Sequence, residues 1–483
     1  MFLGGRSVRE WQRIRRYTVP GWMIAESTAA RDRGDWRAAC EAAAVEVLFD
    51  DPGPVADLLA GFAPDLLRWH LPRPPGGTTG LGFRQRFVLT PASVTADTTV
   101  LLASTSRADR LTLEQVRLRD LPPGPAFPVP DHLWDAREYA GLRAAAEAVP
   151  PGRGLGHWAA AGWEVTSNPW YADHYLRDLD PRRTAADLRR VALRFGIADW
   201  PLAEWGTTRV CLTATSGRPR ITVHRNRDHQ DRGVLMLHPG LLRPPVDLEL
   251  VRGGHLDAAD VHPLVRAVLF PGTPRGSSYA EPAGSFPGER VRVRCGGVWH
   301  WVEVRAGRVE LPGHSDEQRR REHSMAAFGG ALSGCFQAEQ AWNTGGGRLP
   351  KQLRRHHRDL TRRLEHGGAR GVERMLDAGL NPLFRDSRGR TLIHMLHDLG
   401  DPGLLPRLLA AGLDIGARDR LNRTPLFEAV DQRWPARYII ALADAGASLR
   451  TSFPDDDSMA QYLDRIARDA DRERALAIAH LRR

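Results

Sequence analysis

Cysteine and histidine are the first side chains to weigh for chemistry in this chain. Cys295 and His300 fall on neighbouring strand-like segments, where a thiol–imidazole nucleophile can be drawn; alternation along a hairpin accounts for the same two residues without catalysis. His356-His357, His224 with His229, and His300 with His314 invite a metal ion. None has the i,i+4 histidine pair with an intervening glutamate that grips zinc from a helix. Cys40, Cys211, Cys295 and Cys335 stand far apart with no paired spacing. The sequence therefore predicts no metal site, no disulfide framework and four free thiols. Gly152-Arg153-Gly154-Leu155-Gly156 lacks a preceding strand and a third glycine at the offset a dinucleotide fingerprint needs. Gly345-Gly346-Gly347-Arg348-Leu349-Pro350-Lys351 lacks the spacing and the hydroxyl of a phosphate loop. No catalytic residue and no cofactor follows from these motifs.

Arginine supplies the other candidate chemistry, the gripping of anions. The densest cluster is Arg354-Arg355-His356-His357-Arg358 with Arg362-Arg363, and on a helix over 351–363 residues 354, 355, 358 and 362 share a broad face that suits phosphates. No aromatic residue interleaves with them, so base stacking is not supported and a solvated face explains the cluster equally simply. The formal net charge of +10 points the same way, toward nucleic acid. Yet only Lys351 among 68 basic residues is lysine, a skew that GC-rich codon usage produces in bacteria such as actinobacteria. Much of the charge is then genomic background.

The elements that must position these residues fall into three stretches. With 483 residues, several cores are expected. Residues 1–150 read as helices to about 70, then strand-like runs at 83–89, 98–103 and 111–118, a proline-rich connection at 122–130 and a helix over 131–148. Residues 151–345 add a helix at 184–195, short strands at 207–214, 220–225 and 234–237, a helix at 260–270 and a loop at 271–288. A β-hairpin at 290–311 turning at Gly296-Gly297 and Ala306-Gly307 follows, then a helix over 316–342. Five tryptophans, Trp158, Trp163, Trp170, Trp200 and Trp205, crowd the second stretch, as core packing or as the walls of a groove. The order of elements predicts a multidomain protein with an α+β N-terminal region containing antiparallel hairpins. No apolar run is long enough to span a membrane and no secretory leader opens the chain, so a cytoplasmic location is expected.

Residues 350–483 repeat. Asp386-Ser387-Arg388-Gly389-Arg390-Thr391-Leu392-Ile393-His394 returns 33 residues later as Asp419-Arg420-Leu421-Asn422-Arg423-Thr424-Pro425-Leu426-Phe427. Each copy runs into an apolar helix closed by glycine, at Gly412 and Gly446, and Met375-Leu376-Asp377-Ala378-Gly379 is an earlier half-copy. Gly389 and Asn422 occupy a position that suits positive φ, and Thr391 or Thr424 suits a helix cap. These residues resemble the ankyrin repeat family, whose turn carries Asp-x-x-Gly-x-Thr-Pro-Leu-His and whose second helix ends at Leu-Leu-x-x-Gly. The first copy departs at Leu392 and the second at Asn422 and Phe427.

That resemblance implies an all-α ankyrin-like solenoid of about four helix pairs over 350–483. It also implies a scaffold that binds a protein partner with no catalysis of its own. Family geometry puts the contacts on loop tips and first-helix inner faces, here Arg385, Arg388, Arg390, Met395, Arg418, Arg420, Arg423 and Glu428, with Trp434 between helices. Such an arginine comb suits an acidic partner. Two further readings stand beside it: an enzyme or effector activity in residues 1–345 targeted by the repeats, and nucleic-acid binding through the helix at 351–363. His394 is expected to be a structural hydrogen-bonding residue.

Overall fold

The computed structural model describes residues 2–3, 6–74, 80–82, 84–105, 110–146, 155–166, 176–205, 208–225, 233–274, 289–330, 332, 334–453, 455–468 and 472–481. Two compact units divide the chain, Met1–Glu281 and Pro282–Arg483. Both carry helices and sheet, so the protein is α+β in more than one region. Among the described residues no helix is long and apolar enough to cross a membrane.

In the first unit, local capping chemistry sets the helix ends. Ser7 and Glu10 exchange side-chain and backbone hydrogen bonds across the first turn of helix Val8–Tyr17. Asp35 accepts the Ala38 amide to start Trp36–Ala42. The helical stretch that ends near residue 70 is divided into Ala56–Gly61 and Pro64–His70, because Pro64 has no amide proton to continue the ladder but fits a first turn. A six-stranded sheet runs in the order Gly233–Leu235, Gly124–Pro128, Arg86–Leu89, Thr99–Thr105, Leu111–Arg117, Val45–Val47. Its middle three strands form an antiparallel meander, and the flanking strands pair in parallel. Thr99–Thr105 is covered on both faces: Leu101 and Ala103 enter one core, Val100 and Leu102 another. That explains its uninterrupted apolar run.

Two expectations change here. A division near residue 150 is crossed by the pairing of Gly233–Leu235 with Gly124–Pro128, and Leu241, Val261 and Val265 share one core with Phe62 and Trp134. The helix expected over 131–148 is a pair of 3-10 turns followed by Leu142–Ala146. A second sheet of this unit, in the order Glu164–Val165, Arg220–Arg225, Thr208–Thr213, Asp199–Trp205, shares a core with helix Pro181–Phe195. Trp158, Trp163 and Trp200 are buried in that core and line no groove. Trp170 and the Trp205 side chain lie outside the described residues.

The second unit begins with the expected hairpin as a three-stranded antiparallel sheet, Glu289–Cys295, Val298–Arg305 and Arg308–Glu310. The helix expected over 316–342 is interrupted, giving Asp316–Ala327 and Gly334–Thr344. Helix Lys351–Asp377 buries Leu353, Leu360 and Leu364 along one side, and Gly368 interrupts it at φ 64°. Short helices follow at Leu396–Leu399, Leu405–Ala410, Pro425–Asp431, Ala436–Asp444, Asp456–Arg468 and Arg472–His480. Val291 and Val302 of the sheet, with Leu311 just after it, share one core with Trp342, Leu353, Leu392, Leu426 and Ile478. A boundary at 345–350 would cut that core, so the hairpin and the repeats belong together.

Gly389 and Asn422 adopt φ of 75° and 62°, the left-handed conformation their 33-residue spacing suggests. Asn422→Val should therefore lower stability by about 1–2 kcal/mol, while Asn422→Gly stays near neutral. Chemical unfolding of the full chain measures the difference, and equal losses for both would remove the conformational explanation.

Candidate functional site

The repeat loops are built by one hydrogen-bond pattern used twice. Asp386 Oδ1 accepts the amides of Arg388 and Arg390 at 2.8 Å each, and Asp419 Oδ1 accepts those of Leu421 and Arg423 at 2.9 Å each. The second carboxylate oxygen takes the guanidinium four residues on, Arg390 Nε at 2.8 Å and Arg423 Nε at 2.9 Å. Arg385 and Arg418 each donate to the carbonyl four residues ahead, of Gly389 and Asn422, at 2.9 Å. Three bonds then join one loop to the next: Arg385 Nη1 to Arg418 O at 2.9 Å, Arg420 N to Arg388 O at 2.9 Å, and His394 Nε2 to Arg423 O at 3.0 Å.

His394 is buried as the hinge of this pattern. The Thr391 amide donates to its Nδ1 at 3.2 Å, so the ring carries its proton on Nε2 and donates it to the Arg423 carbonyl. Burial holds its pKa below the usual histidine value, which keeps the neutral tautomer that both bonds require.

Most of the sequence-predicted contact residues serve this internal frame. Arg390 is 7% exposed and meets Asp386, Asp398 at 3.3 Å and Glu365 at 3.4 Å. Met395, Glu428 and Trp434 are buried as well, Trp434 stacking on His397 at 5.2 Å. These four are buried and offer no surface to a partner. Arg385, Arg418 and Arg423 are partly exposed with their guanidinium groups engaged. Arg388 and Arg420 project into solvent from adjoining tips, with Arg420 also donating to the Gly345 carbonyl. Beside them Leu421 is 71% exposed, a residue that the arginine comb drew attention away from. Of the basic helix, Arg354, Arg355 and Arg358 are exposed while His357 is buried against Trp342 and Phe384.

A cavity of about 460 Å³ opens in the first unit, lined among others by Asp131, His132, Arg183, Asp187, Arg194 and His238. Three of the arginines that line it are engaged: Arg194 with Asp131 at 2.7 Å, Arg183 and Arg190 with Asp187 at 3.3 and 2.9 Å. Its described lining carries carboxylates and imidazoles, and no hydroxyl or thiol side chain.

Three residues that the spacing keeps apart also meet. The donor atoms of Cys295, His314 and Cys335 all lie within 4.8 Å of one another. His300 stacks on His314, ring centroids 4.5 Å apart, rather than serving Cys295 as a base. Burial, with Cys295 beside it, pushes the Cys335 thiol up to about 12, far from a thiolate nucleophile. His224 and His229 have side chains outside the described residues. Compared with known protein families, curated proteins and solved structures, the chain matches none of them.

Proposed function

We propose that residues 350–483 form an ankyrin-type array that binds an acidic segment of a partner protein, through the loop tips carrying Arg388, Arg420 and Leu421. The observation that carries this reading is the register of the tips. Arg420 N donates to Arg388 O, which sets two exposed arginines side by side with an exposed leucine. Two cations beside an apolar side chain fit a carboxylate-bearing peptide with one apolar anchor. The charges steer the encounter and the leucine buries apolar area. The buried frame beneath holds the tips before binding, which lowers the ordering cost. No covalent step or cofactor enters.

The test is a peptide-display selection on the full chain. Acidic peptides with an apolar residue should be enriched, and Arg388→Glu with Arg420→Glu should weaken them at least ~10-fold, about 1.4 kcal/mol. Arg354→Glu with Arg358→Glu, on the exposed face of the 351–377 helix, is the control and should change little. Equal losses from both pairs would reduce the effect to net charge. Tighter binding of single-stranded nucleic acid, with affinity falling steeply as salt rises, would favour the basic helix instead.

A further inference from the structure

We propose that Cys295, His314 and Cys335 bind one zinc ion, which staples the sheet of the second unit to its helices. The three come from separate elements: the end of strand Glu289–Cys295, the loop after Arg308–Glu310, and the first turn of helix Gly334–Thr344. Two thiolates and an imidazole are the donors zinc takes in tetrahedral sites, at roughly 2.3 Å for sulfur and 2.0–2.1 Å for nitrogen, which sets ligand atoms about 3.5–4 Å apart. The observed donors, all within 4.8 Å of one another, need less than about 1 Å of inward movement to reach that geometry.

Two further features favour a built site over a chance meeting. Gly334 sits at φ 54°, and a Cβ there would fall 2.5–2.7 Å from the Cα, Cβ and Sγ of Cys295. Only glycine lets the Cys335 helix start this close to the other thiol. The His314 ring is held between His300, at 4.5 Å, and Phe336, at 4.6 Å, while its buried Nε2 has no hydrogen-bond partner. Such an orphan costs free energy unless something occupies it. Glu339 stands one helical turn beyond Cys335 with a buried Oε2 that accepts no hydrogen bond and has only His323 at 3.7 Å. It is placed on the right helix face to complete the coordination or to hold a water that does. Binding releases the two thiol protons to solvent and leaves the metal's oxidation state unchanged.

The experiment loads the reduced full-length chain with cobalt(II) and then zinc. One cobalt per chain is expected, with intense visible bands of tetrahedral coordination and a near-ultraviolet thiolate charge-transfer band, displaced by equimolar zinc. Cys295→Ser and Cys335→Ser should abolish the charge-transfer band, and His314→Ala should change the visible bands. Cys40→Ser with Cys211→Ser should leave both intact. Should the site variants misfold, zinc X-ray absorption of the unmutated chain decides, with two sulfur and at least one nitrogen ligand expected. A chelator should also lower the thermal midpoint of the zinc-loaded second unit. A zinc shell of nitrogen and oxygen only, a band surviving Cys295→Ser/Cys335→Ser, or a Cys295–Cys335 disulfide whose reduced form binds no metal would overturn the proposal.

Discussion

Arg390→Ala should lower the stability of the second unit by about 3–5 kcal/mol, whereas Arg388→Ala, two residues earlier, should stay within about 0.5 kcal/mol. Both arginines belong to one loop and read alike in sequence. Arg388 is exposed, and its loss removes a solvated side chain. Arg390 forms ion pairs with Asp386, Asp398 and Glu365 together. Its removal leaves the 2%-exposed Asp386 with two backbone amides and no counter-charge. Arg390→Lys should recover only part of the loss, because an ammonium cannot donate to three carboxylates in a fixed fork.

The pH dependence separates this account from simple loss of packing. Burial already raises the carboxyl pKa values of Glu365 and Asp398 despite Arg390, and without the arginine they rise further. An acid whose folded pKa exceeds its unfolded value destabilises the fold increasingly as pH rises from the unfolded pKa to the folded one. The deficit of Arg390→Ala should therefore be larger at pH 8 than at pH 5 in urea unfolding. A deficit independent of pH would point to lost packing instead.

The Arg390 result also marks what could be read from sequence. The 33-residue period, the positive-φ positions and the helix ends are local, and each follows from a residue's own backbone preference. Even the Asp386–Arg390 and Asp419–Arg423 spacing is visible, four residues apart in both copies. What spacing does not give is burial. Whether an arginine at a loop points out to solvent or in toward Asp398 and Glu365 depends on helix packing many residues away. The same limit hides the Cys295–His314–Cys335 cluster, since nothing local relates a strand end to a helix start 40 residues on. One glycine carries a trace of it: Gly334, just before the second cysteine, is where the backbone comes closest to Cys295, whereas Gly296-Gly297 only turn the hairpin. The boundary near 150 fails for a similar reason, because parallel pairing of Gly124–Pro128 with Gly233–Leu235 joins distant segments without a short turn to announce it.

Acid should destabilise the first unit well before its carboxylates titrate. Burial, reinforced by Arg183 and Arg190, pushes His132 down to about 3, and burial with Arg243 nearby pushes His238 down to about 4. The Gly240 amide donates to His238 Nδ1 at 3.0 Å, a bond that protonation of that nitrogen would break. In the unfolded chain both rings return to about 6.5 and take up protons first. Their contribution is therefore intact above pH 6.5 and falls as pH drops from there toward the folded values. Each removes about 1.4 kcal/mol per pH unit, or roughly 3 kcal/mol by pH 4. Asp65 acts at lower pH. Burial raises its pKa, but the bonds from His262 and Ser27 and the charge of Arg31 outweigh it, so its stabilisation is lost only as pH falls below the ordinary carboxylate value. His132→Gln should flatten the decline between pH 6.5 and 4 by up to about 1.4 kcal/mol per unit in urea unfolding of the full chain. An unchanged slope would mean that His132 takes up its proton without cost to the fold, and that the other buried imidazoles, His238 and His70, carry the acid sensitivity in this range.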